Sequence, residues 1–212
     1  MSAKTSLKEF IEYREKLKKC RENRSSELLF NDSDIHEEFV LKEFFIHAVT
    51  TTPKTSTIYM YCGSMSAFRD AMQGSVDRTK AMLRPVDNPT TEEMDEWNNF
   101  NPYSKMIEAM NDYFNAGGRL EVIVDDDISS LKNETIWRDT LSRYYHVTKQ
   151  LSVNRLMVDC GIEHFVVSGN AYRSEISHAD KTAICCFNNP DYAKMLYSNY
   201  LFLMNYSKQV AI

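Results

Sequence analysis

The segment IEHFVVSGNAYRSEISHADKTAICCFNN, residues 162–189, decides the fold predicted for this chain. Three stretches within it, 163–167, 171–176 and 182–187, are short and rich in apolar and β-branched residues, which is typical of strands. The tripeptide SGN at 168–170 separates the first two stretches, and its Gly and Asn supply the positive φ that a hairpin turn requires. The segment therefore predicts a hairpin followed by a further strand.

Helical and strand patterns alternate upstream of this segment. Apolar runs at 57–62 and 119–124 predict two buried strands. A helix that begins at Pro102 and ends at Gly117 connects them, and a crossover of this kind makes the two strands parallel neighbours. A closing helix follows Pro190. The predicted fold class is α/β, a mixed sheet flanked by helices with an extra N-terminal helix.

The chain is expected to divide near residue 33. Residues 1–33 are predicted to form an N-terminal helical arm, with a helix at 6–24 and a polar break after it. The arm either docks on the main body or a second subunit, or is a solvated helix packed on the core. Residues 34–212 are predicted to form a single α/β domain. Within it, the proline-rich polar stretch at about 74–102 predicts a loop or insertion.

Composition excludes several classes of protein. The net charge is −5, from 30 acidic and 25 basic residues, which does not favour a generic nucleic-acid coat. No run of about 20 apolar residues is present, and the N-terminus lacks the apolar stretch of a signal peptide. The five cysteines are scattered without a C-x-x-C pair, which favours reduced thiols. We expect a cytoplasmic protein without a membrane segment.

Five side chains within residues 162–189 could carry chemistry, namely His164, Arg173, Glu175, His178 and Lys181. Arg173 and Glu175 share one face of their strand, and hairpin pairing could bring His164 beside them. A face that holds Arg, Lys and His suits phosphate, since Arg offers a bidentate fork and Lys a point charge. The alternative is an Arg–Glu pair on an exposed sheet face, which contributes about 0–1 kcal/mol.

The strand ends and the hairpin turn supply weaker candidates. Ser64 follows a strand and precedes a predicted helix, so it is a ligand-binding candidate as part of a phosphate cradle, and the alternative for it is a simple turn. Asn170 of the hairpin turn is a separate ligand-binding candidate. Asp125 and Asp127 end the second strand and could hold Mg²⁺. The alternative for them is a solvated strand end. No cofactor is expected, and a divalent ion at these aspartates is the metal alternative.

The order of elements and the closing block FNNPDYAKMLYSNYLFLMNYS, residues 187–207, resemble one half-unit of the phospholipase D-like superfamily. The resemblance covers about residues 40–207. It implies the half-domain fold of that family and a homodimer, because such half-units pair around a shared site.

The family's catalytic motif, H-x-K-x-x-x-x-D with a histidine nucleophile, is not complete here. After His164, Val166 stands at the Lys place and Ala171 at the Asp place. After His178, an aspartate and a cysteine stand at these places. The resemblance therefore implies a degenerate active site.

Two functions follow from these observations. The first is a non-catalytic phospholipase D-like protein that binds a phosphate-bearing ligand, a nucleic acid or a protein partner. The resemblance places such units among prokaryotic or phage proteins of defence or mobile elements. The second is a phosphodiesterase or nuclease with a rebuilt site, in which His164 or His178 is nucleophile or general acid while Lys181 and Arg173 stabilise charge. The incomplete motif favours the first.

Overall fold

A computed structural model describes residues 7–31, 43–50, 57–63, 90–98, 102–125, 148–154, 159, 161–177 and 182–209. The strands, in chain order, are β1 (Leu29–Asn31), β2 (Thr57–Cys62), β3 (Arg119–Val124), β4 (Thr148–Ser152), β5 (Phe165–Ser168), β6 (Ala171–Ser177), β7 (Thr182–Cys186) and β8 (Lys208–Gln209). In this part of the chain they form one eight-stranded sheet of order β1-β7-β6-β5-β2-β3-β4-β8. The β2–β3 and β3–β4 pairs are parallel and the others antiparallel, which confirms a mixed sheet.

Helices cover both faces of the sheet. Those within the described residues are α1 (Leu7–Glu22), α2 (43–50), α3 (Thr91–Asn98), α4 (Pro102–Asn115) and α5 (Pro190–Asn205). Helix α5 packs on one face, where its buried residues join inward side chains of β2 to β7 in a single core cluster. The side chains that alternate with these face the other way, towards buried residues of α1, α2 and α4. The predicted α/β class is therefore confirmed.

The parallel crossover matches its prediction and is fixed by one tyrosine. The hydroxyl of Tyr113, at the end of α4, donates to the carbonyl oxygen of Arg119 at 2.6 Å. It accepts from the backbone N–H groups of Arg119 at 3.0 Å and Ile58 at 3.1 Å. Gly118 lies against the ring, where a Cβ would stand 2.3 Å from Tyr113 Cε2. One buried side chain thus joins the first residues of β2 and β3.

The hairpin and the closing helix also match their predictions. Strands β5 and β6 pair antiparallel through a turn in which Gly169 has a φ of 57°. The Asn189 side chain caps α5 by accepting from the backbone N–H of Tyr192 at 3.1 Å, and Pro190 occupies the first turn. Local turn and cap chemistry is therefore sufficient to position both elements.

Three elements correct the sequence prediction. The segment expected to be a polar break contains β1, which pairs with β7 and buries Leu29 and Asn31. A three-residue strand is too short for its alternation to stand out. The stretch expected to be a loop at about 74–102 contains α3, which two glutamates in the first turn favour. The short strand β8 had no sequence signal. The division near residue 33 stays a prediction.

We predict that Tyr113→Phe lowers the free energy of unfolding by about 2 kcal/mol, because the phenylalanine leaves buried backbone groups of β2 and β3 without their partner. Chemical denaturation measures the change. Tyr206→Phe is the matched control, since Tyr206 is exposed and should change the value by less than about 0.5 kcal/mol. Equal effects of the two substitutions would contradict this role for Tyr113.

Candidate functional site

The candidate site lies where the carboxyl ends of β2 and β3 meet the start of β5. Gly63 follows β2, Asp125 follows β3, and His164 precedes β5. The backbone N–H of Asp125 donates to the carbonyl oxygen of Cys62 at 3.1 Å, which extends the parallel ladder by one residue. A Cβ on residue 63 would stand 3.3 Å from Cε1 of His164, so glycine is what lets the imidazole approach the end of β2.

His164 contacts a carboxylate with each ring nitrogen. Its Nε2 lies 3.0 Å from Oδ2 of Asp125, and its Nδ1 lies 3.1 Å from Oε2 of Glu175. The backbone N–H of Glu175 also donates to the carbonyl oxygen of His164 at 2.8 Å, which fixes β6 against the start of β5. All three side chains are at most 13% exposed. The imidazole is therefore held in one orientation by two carboxylates that are largely shielded from solvent.

Two further side chains complete this arrangement. Nη1 of Arg173, two residues before Glu175 on β6, lies 3.7 Å from Oε1 of that carboxylate, and Arg173 is buried. The hydroxyl of Tyr61 donates to Oδ2 of Asp125 at 3.2 Å, and its ring meets the imidazole edge-on. We call Asp125, His164, Arg173 and Glu175 the His164 network. Two positive and two negative groups make it neutral when His164 is protonated.

The surroundings keep His164 protonated. Burial alone lowers the pKa of an imidazole, but here the hydrogen bonds and charges of Asp125 and Glu175 outweigh it and raise the pKa of His164 to about 9. At neutral pH the ring is therefore an imidazolium that donates one N–H to each acid. Such a ring can donate a proton, but it has no lone pair on either nitrogen.

The structure brings together four of the sequence-predicted residues: Asp125, His164, Arg173 and Glu175. Asn170 lies at the far end of β5, in the hairpin turn, where its side chain donates to Oδ1 of Asn188 at 3.4 Å. The remaining candidates, Ser64, Asp127, His178 and Lys181, lie outside the described residues. The described part of the site thus joins the hairpin candidates with one strand-end carboxylate.

Two alternatives from the sequence are wrong for the described residues. Arg173 and Glu175 do not lie on an exposed sheet face, because Arg173 is buried and the side chain of Glu175 is only 13% exposed. Asp125 is not a solvated strand end, because His164 and Tyr61 bind its carboxylate. The aromatic residues Phe165, Tyr172 and Phe187 are buried in the core.

Sequence reasoning missed the parts played by Tyr61 and Gly63. A tyrosine in an apolar strand is typical of a core residue, and a glycine at position 63 is typical of the end of a strand. The available signal was the parallel pairing of 57–62 with 119–124, which places residue 63 beside residue 125 at the same edge. Placing His164 beside residues 63 and 125 also requires the β2–β5 pairing, which no local sequence pattern predicts.

Comparison of the whole chain with protein-family models, curated proteins and solved structures finds no match. Among the described residues, no group of three or more His, Cys, Asp and Glu side chains is placed to hold a metal ion. The divalent ion at Asp125 and Asp127 stays a prediction. In the same part of the chain no helix is both long and apolar enough to cross a membrane.

A second buried histidine provides a contrast to His164. His47, on α2, packs its ring 5.5 Å from that of Phe187. Burial, with the charges of Arg24 and Arg21, lowers the pKa of His47 to about 4, so this ring is neutral when folded at neutral pH. The two histidines therefore affect stability in opposite pH ranges.

We predict that the free energy of unfolding falls as the pH rises from about 6.5 to about 9, because His164 loses its proton in this range. The unfolded chain releases this proton near pH 6.5 and the folded chain near pH 9, so the stabilisation is complete below 6.5 and is lost as the pH rises to about 9. The loss in unfolding free energy is on the order of 3 kcal/mol. Denaturant titrations across this window measure it, and His164→Gln should flatten the dependence. An unchanged slope in the variant would contradict the assignment.

We predict the opposite slope for His47. Because its pKa is depressed on folding, its contribution is present above pH 6.5 and is lost as the pH falls towards about 4. His47→Gln should reduce this acid-side loss while it leaves the alkaline slope intact. The same titrations test both statements, and a variant that alters both slopes equally would show that neither histidine is responsible individually.

Proposed function

We propose that this chain is a non-catalytic α/β protein of the phospholipase D-like type that acts by binding a protein partner. The order of strands and helices, with a hairpin and a closing helix after the parallel unit, supports the family type. One observation carries the functional part, namely that both ring nitrogens of His164 are bound to carboxylates. This contact opposes nucleophilic chemistry and phosphate binding at His164, and it leaves protein binding as the favoured function.

Nucleophilic attack on phosphorus requires a lone pair on a ring nitrogen. His164 gains one only by losing a proton whose pKa is about 9, and by breaking a hydrogen bond to Asp125 or Glu175. At neutral pH about one molecule in a hundred carries the neutral ring. Both the protonation state and the geometry thus oppose a phosphohistidine intermediate.

Phosphate binding at the network meets a similar obstacle. The charges of His164 and Arg173 are matched by those of Asp125 and Glu175, and all four side chains are largely buried. A phosphate adds at least one negative charge beside two carboxylates, so it would have to displace an existing ion pair. Breaking a buried pair is typically costly, at about 3–5 kcal/mol. The network is therefore better suited to stabilising the fold than to binding an anion.

Protein binding is favoured by the exposed surface. Apolar side chains stand exposed on β1, on β6, on α5 and directly after α5, with Phe30, Ile176, Phe202 and Tyr206 among them. Aromatic and large aliphatic residues are those that protein interfaces concentrate at their centres. The net charge of −5 adds to the case, because it does not attract nucleic acid.

The competing function is a phosphodiesterase in which His164 acts as a general acid. The contact between Nδ1 and Glu175 favours it, because a carboxylate on one ring nitrogen is how catalytic histidines are oriented. In that case Nε2 would transfer its proton to the leaving oxygen of the substrate instead of donating a hydrogen bond to Asp125.

We predict no His164-dependent cleavage of phosphodiesters. The assay uses bis-p-nitrophenyl phosphate, single- and double-stranded DNA, and RNA, each with and without Mg²⁺. The wild type and His164→Asn should be indistinguishable from buffer. His47→Asn is the matched control, since it removes a buried histidine outside the network. Turnover by the wild type and the control that His164→Asn abolishes, with its fold retained by circular dichroism, would establish the competing function instead.

A further inference from the structure

The C-terminal end of α1 concentrates positive charge in a chain that is acidic as a whole. Residues 16–24, KLKKCRENR, hold five basic side chains and one acidic side chain, whereas the net charge of the chain is −5. Three of the five basic side chains are exposed, namely Lys18, Lys19 and Arg24. We call these three residues the α1 basic end. Charge concentrated in this way attracts anionic groups locally, although the chain average does not.

The α1 basic end is not neutralised by the described neighbours. The other two basic side chains of the segment bind carboxylates, since Lys16 contacts Glu27 at 2.6 Å and Arg21 binds the buried Glu43. Within the part of the chain that the structure describes, none of the ion pairs includes a residue of the α1 basic end. Three of the five positive charges are therefore uncompensated by contacts among these residues.

Arg24 has a backbone conformation that is unfavourable for an arginine. Its φ is 47°, in the left-handed region that a Cβ disfavours. The backbone N–H of Arg24 donates to the carbonyl oxygen of Arg21 at 3.1 Å. That of Ser25 donates to the carbonyl oxygen of Cys20 at 2.9 Å, which completes a Schellman motif. Glycine is the usual residue at this position, and residues that are kept in such a conformation cluster at functional sites.

The charge of Arg24 also acts on α2. Burial, followed by the charges of Arg24 and Arg21, lowers the pKa of His47 to about 4. The guanidinium of Arg24 thus lies near enough to α2 for its charge to act on a buried ring. Because that ring is neutral at neutral pH, it adds no charge to the surface. The positive charge of the α1 basic end therefore comes from its three side chains alone.

A structural explanation accounts for only part of this charge. Basic side chains in the last turn of a helix interact favourably with the helix dipole, which suits Lys19 and Arg21. At position 24, however, glycine would make the same backbone hydrogen bonds without a Cβ in the left-handed region. A purely structural part for Arg24 requires its interaction with the dipole to outweigh that backbone cost. The choice of arginine is better explained by what its side chain binds.

We propose that the α1 basic end binds an acidic segment of the protein partner. The planar fork of Arg24 fits a carboxylate, and the two lysines add point charges that a run of Asp or Glu side chains can meet. Complementary charge of this kind selects partners by sign and speeds their association. The inference rests on the proposed protein-binding function and adds the chemistry of the partner.

Binding of a fluorescein-labelled decaglutamate peptide to the full chain, followed by fluorescence anisotropy, tests the proposal. The wild type should bind with a Kd below about 100 µM at about 50 mM NaCl. The Kd should rise at least about fivefold at about 300 mM NaCl, because salt screens exposed charges. Arg24→Gln should raise the Kd at least about threefold at the lower salt. Lys194→Gln removes one exposed charge from α5 and is the matched control, which should leave the Kd within about 1.5-fold.

Arg24→Gly separates binding from a structural part. It should weaken binding as much as Arg24→Gln does. Its midpoint of urea denaturation should equal or exceed that of the wild type, because glycine adopts the left-handed conformation without a steric cost. A lower midpoint with an unchanged Kd would show that Arg24 serves only the helix end, and would contradict the proposal.

Three other results would overturn the inference. They are a wild type that does not bind decaglutamate up to about 500 µM, equal Kd values for Arg24→Gln and Lys194→Gln, and tighter binding of an oligothymidylate of the same length. The last result would make nucleic acid the ligand. Since none of these measurements depends on His164, such a failure leaves the result of the cleavage assay standing.

Discussion

The pairing of His164 with two carboxylates is the contact on which the rest of the candidate site depends. It joins the end of β3, the start of β5 and the middle of β6 through side chains that are nearly buried. Each acid needs the imidazolium, because removing one partner of a buried ion pair leaves an uncompensated charge. Arg173 contacts the other oxygen of Glu175, and Tyr61 donates to the same Asp125 oxygen that His164 contacts, so the network and the ends of these strands are stabilised together.

That contact also limits what the chain can do. A histidine that donates from both nitrogens orders three strands, but it is a poor nucleophile and does not offer spare charge to a phosphate. The proposed protein binding is therefore assigned to the exposed apolar side chains of the surface. In this proposal the network stabilises the ends of the strands, and binding is left to the surface.

Much of the fold was predictable from local chemistry, and the site only partly. The strands at 57–62 and 119–124, the Gly169 turn and the Asn189 cap follow from patterns that a single segment contains. Alternation placed Arg173 and Glu175 on one face, and pairing suggested His164 beside them. Asp125 joins them through pairings between segments far apart in sequence, which no local period encodes. Strand β1 is too short for a period to show.

The protonation of the His164 ring is the central claim, and nitrogen NMR tests it most directly. In a sample labelled at imidazole nitrogens, with His164→Gln used to assign the signal, both ring nitrogens of His164 should appear protonated at neutral pH. The signal should titrate near pH 9. A neutral ring at neutral pH, with one nitrogen unprotonated and a titration at or below 6.5, would contradict the account and restore His164 as a candidate nucleophile.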